Sequence, residues 1–292
     1  MKKPIVVTLG EAAGIGPEVV EQALPRFRKK YPKVIVDVLG DPDIALPGKP
    51  TRKSAQSALE ALELSAEMAR AGEAAAIVNG PVSKKWLQKA GFGYPGQTEF
   101  YADAFGLNED QVTMTMTGKS MTVGLVSTHC SLVSALEKIS VSRIVETGLR
   151  LEALLRAKGI RKPRLAVAGL NPHAGESGAF GQEEISMITP AVAALQNKLR
   201  RCVAGPVSPD AVFMACSNNK YDGVVSMYHD QGLIPFKLVS FDTGVNVTAG
   251  LPLWRISPDH GTAFDIAGQG KARASSMFCA LELAYQLSQK SK

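Results

Sequence analysis

Short apolar, β-branched runs alternate with longer segments of helical periodicity along most of this 292-residue chain. No other feature restricts its fold as much. Residues 5–9, 34–39, 75–78, 113–117, 122–127, 165–168 and 223–227 predict strands, and residues 17–29, 54–70, 141–157 and 183–199 predict helices. The third helix is the clearest, because Ile144, Val145, Leu149, Leu151, Leu154 and Leu155 fall on one face. The first opens on Pro17, whose fixed φ suits an initial turn. Parallel strands need a crossover, usually a helix, so the alternation predicts an α/β protein with a largely parallel sheet. The chain has no internal repeat, low-complexity tract or flexible linker. A second domain would therefore be docked closely rather than tethered.

Open α/β sheets bind ligands beyond the carboxyl ends of their strands. Three of the four histidines follow predicted strands, in Ser127-Thr128-His129-Cys130, Asn171-Pro172-His173-Ala174-Gly175-Glu176 and Tyr228-His229-Asp230-Gln231. Three imidazoles with an open position suit a divalent metal acting as a Lewis acid. Zinc or cobalt matches nitrogen ligands better than magnesium does. Asp222 and Asp230 are candidates to ligate the metal, to orient a histidine or to relay a proton. The fourth histidine lies in Pro258-Asp259-His260-Gly261-Thr262.

Lys237, Asn246 and Arg255 follow at nine-residue intervals in a Gly- and Pro-rich stretch. Two cations flanking an amide suggest a clamp for phosphate or carboxylate, and the net charge of +6 suits an anionic small ligand. Earlier, Gly10-Glu11-Ala12-Ala13-Gly14-Ile15-Gly16-Pro17-Glu18 joins a strand to a helix. It lacks the Gly-Lys-Ser/Thr of a P-loop and the Gly-x-Gly-x-x-Gly spacing, so a ligand cradle and a purely structural turn are both open.

Several classes fall away. No Lys/Arg stripe interleaved with aromatics argues for nucleic acid, and no apolar run approaches the roughly 20 residues of a membrane span. Cys130, Cys202, Cys216 and Cys279 are far apart, and the apolar stretch after Lys3 is too short for an export signal. Both features predict reduced thiols in the cytoplasm.

The chain resembles the 4-hydroxythreonine-4-phosphate dehydrogenase family of pyridoxal phosphate biosynthesis over nearly its whole length. The carrying motifs are Thr8 to Glu18, Asn79-Gly80-Pro81-Val82-Ser83-Lys84, Gly96-Gln97-Thr98-Glu99-Phe100, Gly169 to Glu176, Tyr228 to Lys237 and Asp259 to Gly270. Its ends also resemble the wider isocitrate/isopropylmalate dehydrogenase fold. That resemblance implies two closely docked α/β domains with an active-site cleft between them, one from residues 1–95 and 248–292 and the other from 96–247.

It further implies one divalent metal on His129, His173 and His229, most simply Zn2+, with Co2+ or Mg2+ as the other choices. The substrate would be held by Gln97, Thr98, Lys237, Asn246 and Arg255, with Asp222, Asp230 and Lys237 assigned to the chemistry. NAD or NADP would lie against Gly14, Gly16, His260, Gly261, Thr262 and Asp265. The implied reaction oxidises and decarboxylates 4-phosphohydroxy-L-threonine to 3-amino-2-oxopropyl phosphate, in a homodimer with shared active sites. One departure stands out: the family usually has His before Thr-Glu-Phe, where this chain has Gln97. Paralogues acting on D-erythronate or D-threonate 4-phosphate, or on a cyclic dihydrodiol dicarboxylate, share most of these motifs. On the histidines alone, a metal-dependent hydrolase without redox cofactor also fits. An acyl-phosphate transferase of related fold and a non-catalytic binding module complete the alternatives.

Overall fold

A computed structural model describes residues 3–290. In chain order the elements are β1 (Ile5–Thr8), α1 (Gly16–Lys30), β2 (Val36–Leu39), α2 (Arg52–Arg70), β3 (Ala76–Asn79), α3 (Lys84–Lys89) and α4 (Gln97–Ala104). Then come β4 (Thr113–Thr117), β5 (Thr122–Leu125), α5 (Leu132–Lys138), α6 (Val141–Ala157), β6 (Leu165–Ala168) and α7 (Thr189–Leu199). The chain continues through β7 (Ala204–Val207), α8 (Pro209–Ser217), β8 (Gly223–Ser226), α9 (His229–Ser240), β9 (Val245–Ala249), β10 (Arg255–Pro258) and α10 (Ser275–Ser288). The structure is α/β, as the alternation predicts.

Two compact units divide the chain, Met1–Asn108 with Val245–Lys292, and Glu109–Gly244. The sequence reading put the boundaries at 95/96 and 247/248. The observed division places Gln97 and Thr98 in the first unit, with Asn246 and Arg255.

In the first unit the strands run in the order β2-β1-β3-β10-β9. All neighbours are parallel except β10 and β9, where Arg255 faces Thr248 and Ser257 faces Asn246. Leu62 of α2, Ile77 of β3, Leu87 of α3, and Phe100 and Tyr101 of α4 close one core cluster.

The second unit orders its strands β4-β5-β8-β6-β7. Here β5, β8, β6 and β7 are parallel, and β4 pairs antiparallel with β5. Successive side chains point to opposite faces, so neighbours Val224 and Val225 enter different cores. One face is covered by α6 and α7 through Ile144, Leu151, Leu155, Val192 and Leu195. The other is covered by α8 and α9 through Val212, Phe213, Leu233 and Phe236. A sheet buried on both sides explains why these strands read as unbroken apolar runs. Truncating the fully buried Leu151 to alanine would cost about 2–5 kcal/mol.

The segment 183–199 departs from the single helix its pattern predicts. A π-turn over Glu184–Ile188 precedes α7, and Pro190 at the start of α7 has no N–H to continue a regular ladder.

Candidate active-site residues

The second unit puts the three histidines at the carboxyl ends of adjacent parallel strands. His129 follows β5, His229 opens α9 directly after β8, and His173 follows β6. Beyond the strand ends Val126 N–H donates to Ser226 O and Ser127 N–H to Met227 O. The Ser127 hydroxyl also donates to Met227 O at 3.0 Å. This zipper brings the His129 and His229 rings to a centroid separation of 5.3 Å, beside a cavity of about 520 Å³ that Cys130 and Tyr228 also line. His229 Nδ1 lies 2.6 Å from Asp230 Oδ1. A carboxylate accepts, so Nδ1 is the donor in this contact. Asp230 therefore has the place of an orienting group.

His173 is held differently. It begins a run of six residues with positive φ, His173 to Gly178, a left-handed turn that L side chains adopt at a cost. Glu184 on the π-turn anchors the start of this loop. Its Oε1 accepts from Leu170 N–H at 2.7 Å and Asn171 N–H at 2.8 Å, and its Oε2 from Asn171 Nδ2 at 2.9 Å. Burial opposes ionisation of Glu184, but these donors outweigh it and hold the carboxyl below its ordinary range. The His173 ring lies near Phe180 instead, 6.3 Å between centroids. Among the described residues no three His, Cys, Asp or Glu side chains converge as a metal site. Within one chain, two imidazoles meet and the third is presented on a separate loop. Two convergent imidazoles, one fixed by a carboxylate, fit a divalent cation as a partial ligand set.

Asp222 does not join them. It precedes β8 at the end opposite His229, on the order of 13 Å away along four residues of strand. Its carboxylate accepts from Arg164 N–H at 2.7 Å, Nε at 3.0 Å and Nη2 at 2.8 Å. The Arg164 hydrogen bonds hold it below the ordinary carboxylate range. Asp222 thus ties β8 to the start of β6 and corrects the expectation that it acts in the chemistry. Asp222→Ala should keep kcat while lowering Tm by a few degrees. Because the folded pKa is depressed, this contribution is present above the unfolded carboxylate pKa and is lost as pH falls through the folded one. Tm of wild type and variant, measured from pH 7 down to pH 3, should converge at the acid end.

Two of the candidate anion-binding residues, Asn246 and Arg255, lie on the β9–β10 hairpin of the first unit, whereas Lys237 belongs to the second. The pairing of Arg255 with Thr248 and of Ser257 with Asn246 puts Asn246, Thr248 and Arg255 on one face. Arg255 is 2% exposed. Its Nε donates to Asn79 Oδ1 at 2.6 Å, Nη2 to Gln97 Oε1 at 2.5 Å and Nη1 to Thr248 Oγ1 at 3.5 Å. All three acceptors are neutral. Burial lowers the guanidinium pKa to about 10, against the opposing pull of Tyr101 and Glu99. A buried cation without a carboxylate partner is costly and makes the place receptive to an anion.

Beside it, Thr98 Oγ1 lies 3.4 Å from Thr248 Oγ1, and Asn246 Oδ1 is buried with no hydrogen-bond partner among the described residues. Lys237 stands exposed on α9, two turns after His229. Asn79 and Tyr101 are the network members that the sequence did not single out. Asn79 Nδ2 donates to Tyr101 Oη at 2.8 Å and to Thr8 Oγ1 at 3.1 Å. The signal was the Asn79-Gly80-Pro81 turn at the end of β3.

The proposed dinucleotide segments also meet. Ile15 N–H donates to Thr262 O at 2.9 Å, and a Cβ on Gly14 would lie 2.7 Å from that oxygen. On Gly16 it would lie 2.1 Å from Leu9 O. Both glycines are therefore required by packing alone. Glu18 accepts from Gly268 N–H and Ala272 N–H at 3.1 Å each, tying the later loop to α1. His260 is half-buried with Nδ1 3.2 Å from Gly261 O, and Asp265 is exposed.

Known proteins are similar to this chain in sequence and in fold. The 4-hydroxythreonine-4-phosphate dehydrogenase of Erythrobacter litoralis is 41% identical, with 97% of this chain and 96% of that protein covered. The D-threonate 4-phosphate dehydrogenase of Pectobacterium atrosepticum is 38% identical, covering 98% of this chain and all 100% of that one. The crystal structure of 4-hydroxythreonine-4-phosphate dehydrogenase from Klebsiella pneumoniae superposes with a TM-score of 0.82 at 38% identity, covering 99% of each chain. An isocitrate dehydrogenase from Methylococcus capsulatus, 14% identical with a TM-score of 0.59 over 98% of this chain and 85% of that one, shares the fold alone. The family described as pyridoxal phosphate biosynthetic protein PdxA matches residues 13–284. The chain thus belongs to the PdxA family and is an enzyme of the dehydrogenase class.

Proposed function

We propose that this dehydrogenase oxidises and decarboxylates 4-phosphohydroxy-L-threonine to 3-amino-2-oxopropyl phosphate in pyridoxal phosphate biosynthesis. The observation that carries the reading is Arg255, a buried cation held only by neutral acceptors beside Thr98 and Asn246. Such a group binds an anionic substrate group without displacing a resident carboxylate. Its charge-assisted N–H donors, and those of Gln97, fix the substrate's orientation. The orphaned oxygen of Asn246 is free to accept from a substrate N–H or O–H.

His129, His229 and a His173 from a second copy of the chain would hold one divalent cation, with Zn2+ favoured by three nitrogens. Bound there, the metal would supply Lewis acidity at the substrate's secondary hydroxyl, and NAD(P)+ would be the hydride acceptor. Asp230 keeps the His229 ring in one tautomer. Lys237 supplies a positive charge on the same helix as His229. The segments at Gly14 and at His260 to Thr262, with Asp265, border the dinucleotide in this reading. The resulting ketone is β to the carboxylate, so loss of carbon dioxide follows readily.

This scheme needs a homodimer, and exposed apolar side chains support one. Leu132 and Val133 on α5 are 59% and 70% exposed, Ile234 and Leu238 on α9 are 62% and 82%, and Phe241 is 71%. An apolar surface of this kind on the histidine-bearing unit suits a second copy of the chain. Leu238→Asp should shift the protein from dimer to monomer in light scattering and abolish metal retention; a dimer that keeps its metal would refute this interface. No helix among the described residues is long and apolar enough to cross a membrane, and we place the enzyme in the cytoplasm.

The direct test is nicotinamide reduction by purified protein, divalent metal and 4-phosphohydroxythreonine, with NAD+ and NADP+ compared. The Pectobacterium relative favours a second reading, D-threonate 4-phosphate as substrate. Turnover of that compound alone would move the assignment there.

A further inference from the structure

Gln97 is half-buried at the first position of α4, following Gly96. Its side-chain oxygen lies 2.5 Å from Arg255 Nη2. Guanidinium has N–H donors and no acceptor, so the amide can face it only with Oε1. An NH2 group turned that way would set donor against donor. Arg255 cannot swing aside, because Asn79 holds its Nε at 2.6 Å and Thr248 lies against Nη1. The amide orientation of Gln97 is therefore fixed by its neighbour. The other end of the amide, the Nε2 amino group, makes no hydrogen bond among the described residues.

We infer that the Gln97 amide is locked by Arg255 to offer the substrate N–H donors only, so that the substrate group against it is an oxygen acceptor and not an ammonium. This rests on the proposed reading that Arg255 faces the substrate's anion. An ammonium at this place would meet two N–H donors and a buried cation, with no acceptor from either residue. An oxygen there gains a hydrogen bond beside a positive charge.

Two oxygens offer that chemistry. One is the phosphate, which 4-hydroxythreonine 4-phosphate and D-threonate 4-phosphate share. The other is the hydroxyl that D-threonate 4-phosphate carries where the threonine compound has its amino group.

The test measures kcat/KM for both compounds, and calorimetric affinity for inorganic phosphate, in wild type, Gln97→Met and Gln97→Glu. Methionine keeps the volume and removes the donors, whereas glutamate turns the donor face into an acceptor. Losing a hydrogen bond to a charged group should reduce kcat/KM about tenfold or more. An equal loss on both substrates, with weaker inorganic phosphate binding, assigns the donor to the phosphate. A loss confined to D-threonate 4-phosphate, with glutamate shifting preference towards the amino compound, assigns it to the hydroxyl. Thermal unfolding of each variant identifies any folding defect, and the variant that folds carries the comparison. Both folded variants within about twofold of wild type on all three probes would overturn the inference. A folded wild type that binds neither phosphate nor either substrate would sink the anion reading of Arg255, and this inference with it.

Discussion

Arg255→Met should raise KM for the phosphorylated substrate by about 10²- to 10³-fold, the usual result of removing one member of a buried charged contact. KM for the dinucleotide should stay within about twofold, because the variant alters no contact of the segments around Gly14 and Thr262. The stability outcome makes the test sharper. Arg255 is buried among Asn79, Gln97, Thr248 and Tyr101 with no ion pair among the described residues, and burial drives its pKa down to about 10. A lowered folded pKa in a cationic group means that the charged form is favoured less in the folded chain than in the unfolded one. That penalty is fully present at neutral pH. Methionine relieves it while leaving Asn79 Oδ1 and the half-buried Gln97 Oε1 each short of one donor, so Tm of the ligand-free enzyme should change little. Function and stability then separate as expected where a site stores cost for binding. Steady-state kinetics and thermal unfolding on the same preparation check both halves. Equal rises in the two KM values, or a collapse of Tm, would make Arg255 a structural residue.

The elements legible in the sequence are those with long or uniform patterns. Helix α6 and strands β1, β3, β6 and β8 follow from apolar periodicity because helices or sheet faces bury those residues completely. Helix α9 was hidden by Gly232 and Pro235, both poor helix formers, which tertiary packing of Leu233 and Phe236 overrides. Strands β7 and β10 contain proline, and β7 also contains glycine, so their patterns are too short and broken to read.

The site shows the same division. That His129, His173 and His229 follow strand ends was legible, since strand ends are local features. Which end of a strand a residue occupies is a matter of topology, and Asp222, seven residues before His229, fell on the wrong one. The partners of Arg255 were equally illegible: Asn79 is 176 residues away in sequence, and only the pairing of β3 with β10 brings them together. The glycines of the early turn leave a ligand cradle and a structural turn both open in the sequence, and the close approach of Leu9 O to Gly16 and of Thr262 O to Gly14 shows that packing requires them whatever they border.

His173→Ala should abolish bound metal and activity while the fold survives. The residue sits on a left-handed turn whose neighbour Ala174 has φ 52, so alanine is already accommodated in that conformation. The loop's anchor is Glu184 with its donors from Leu170 and Asn171, none of which the substitution touches. Metal analysis and circular dichroism read the two outcomes independently of turnover. A mixed-dimer experiment then decides whether His173 serves its own chain or its partner. One chain brings only His129 and His229 together, so a site completed in trans takes two imidazoles from one copy and His173 from the other. Co-refolding inactive His129→Ala with inactive His173→Ala would give heterodimers in which one of the two sites recovers all three ligands. With random pairing, about a quarter of wild-type activity and metal content should return. A site completed within one chain would recover nothing, because every chain in the mixture lacks one ligand. Full metal occupancy in His173→Ala itself would remove this histidine from the ligand set altogether.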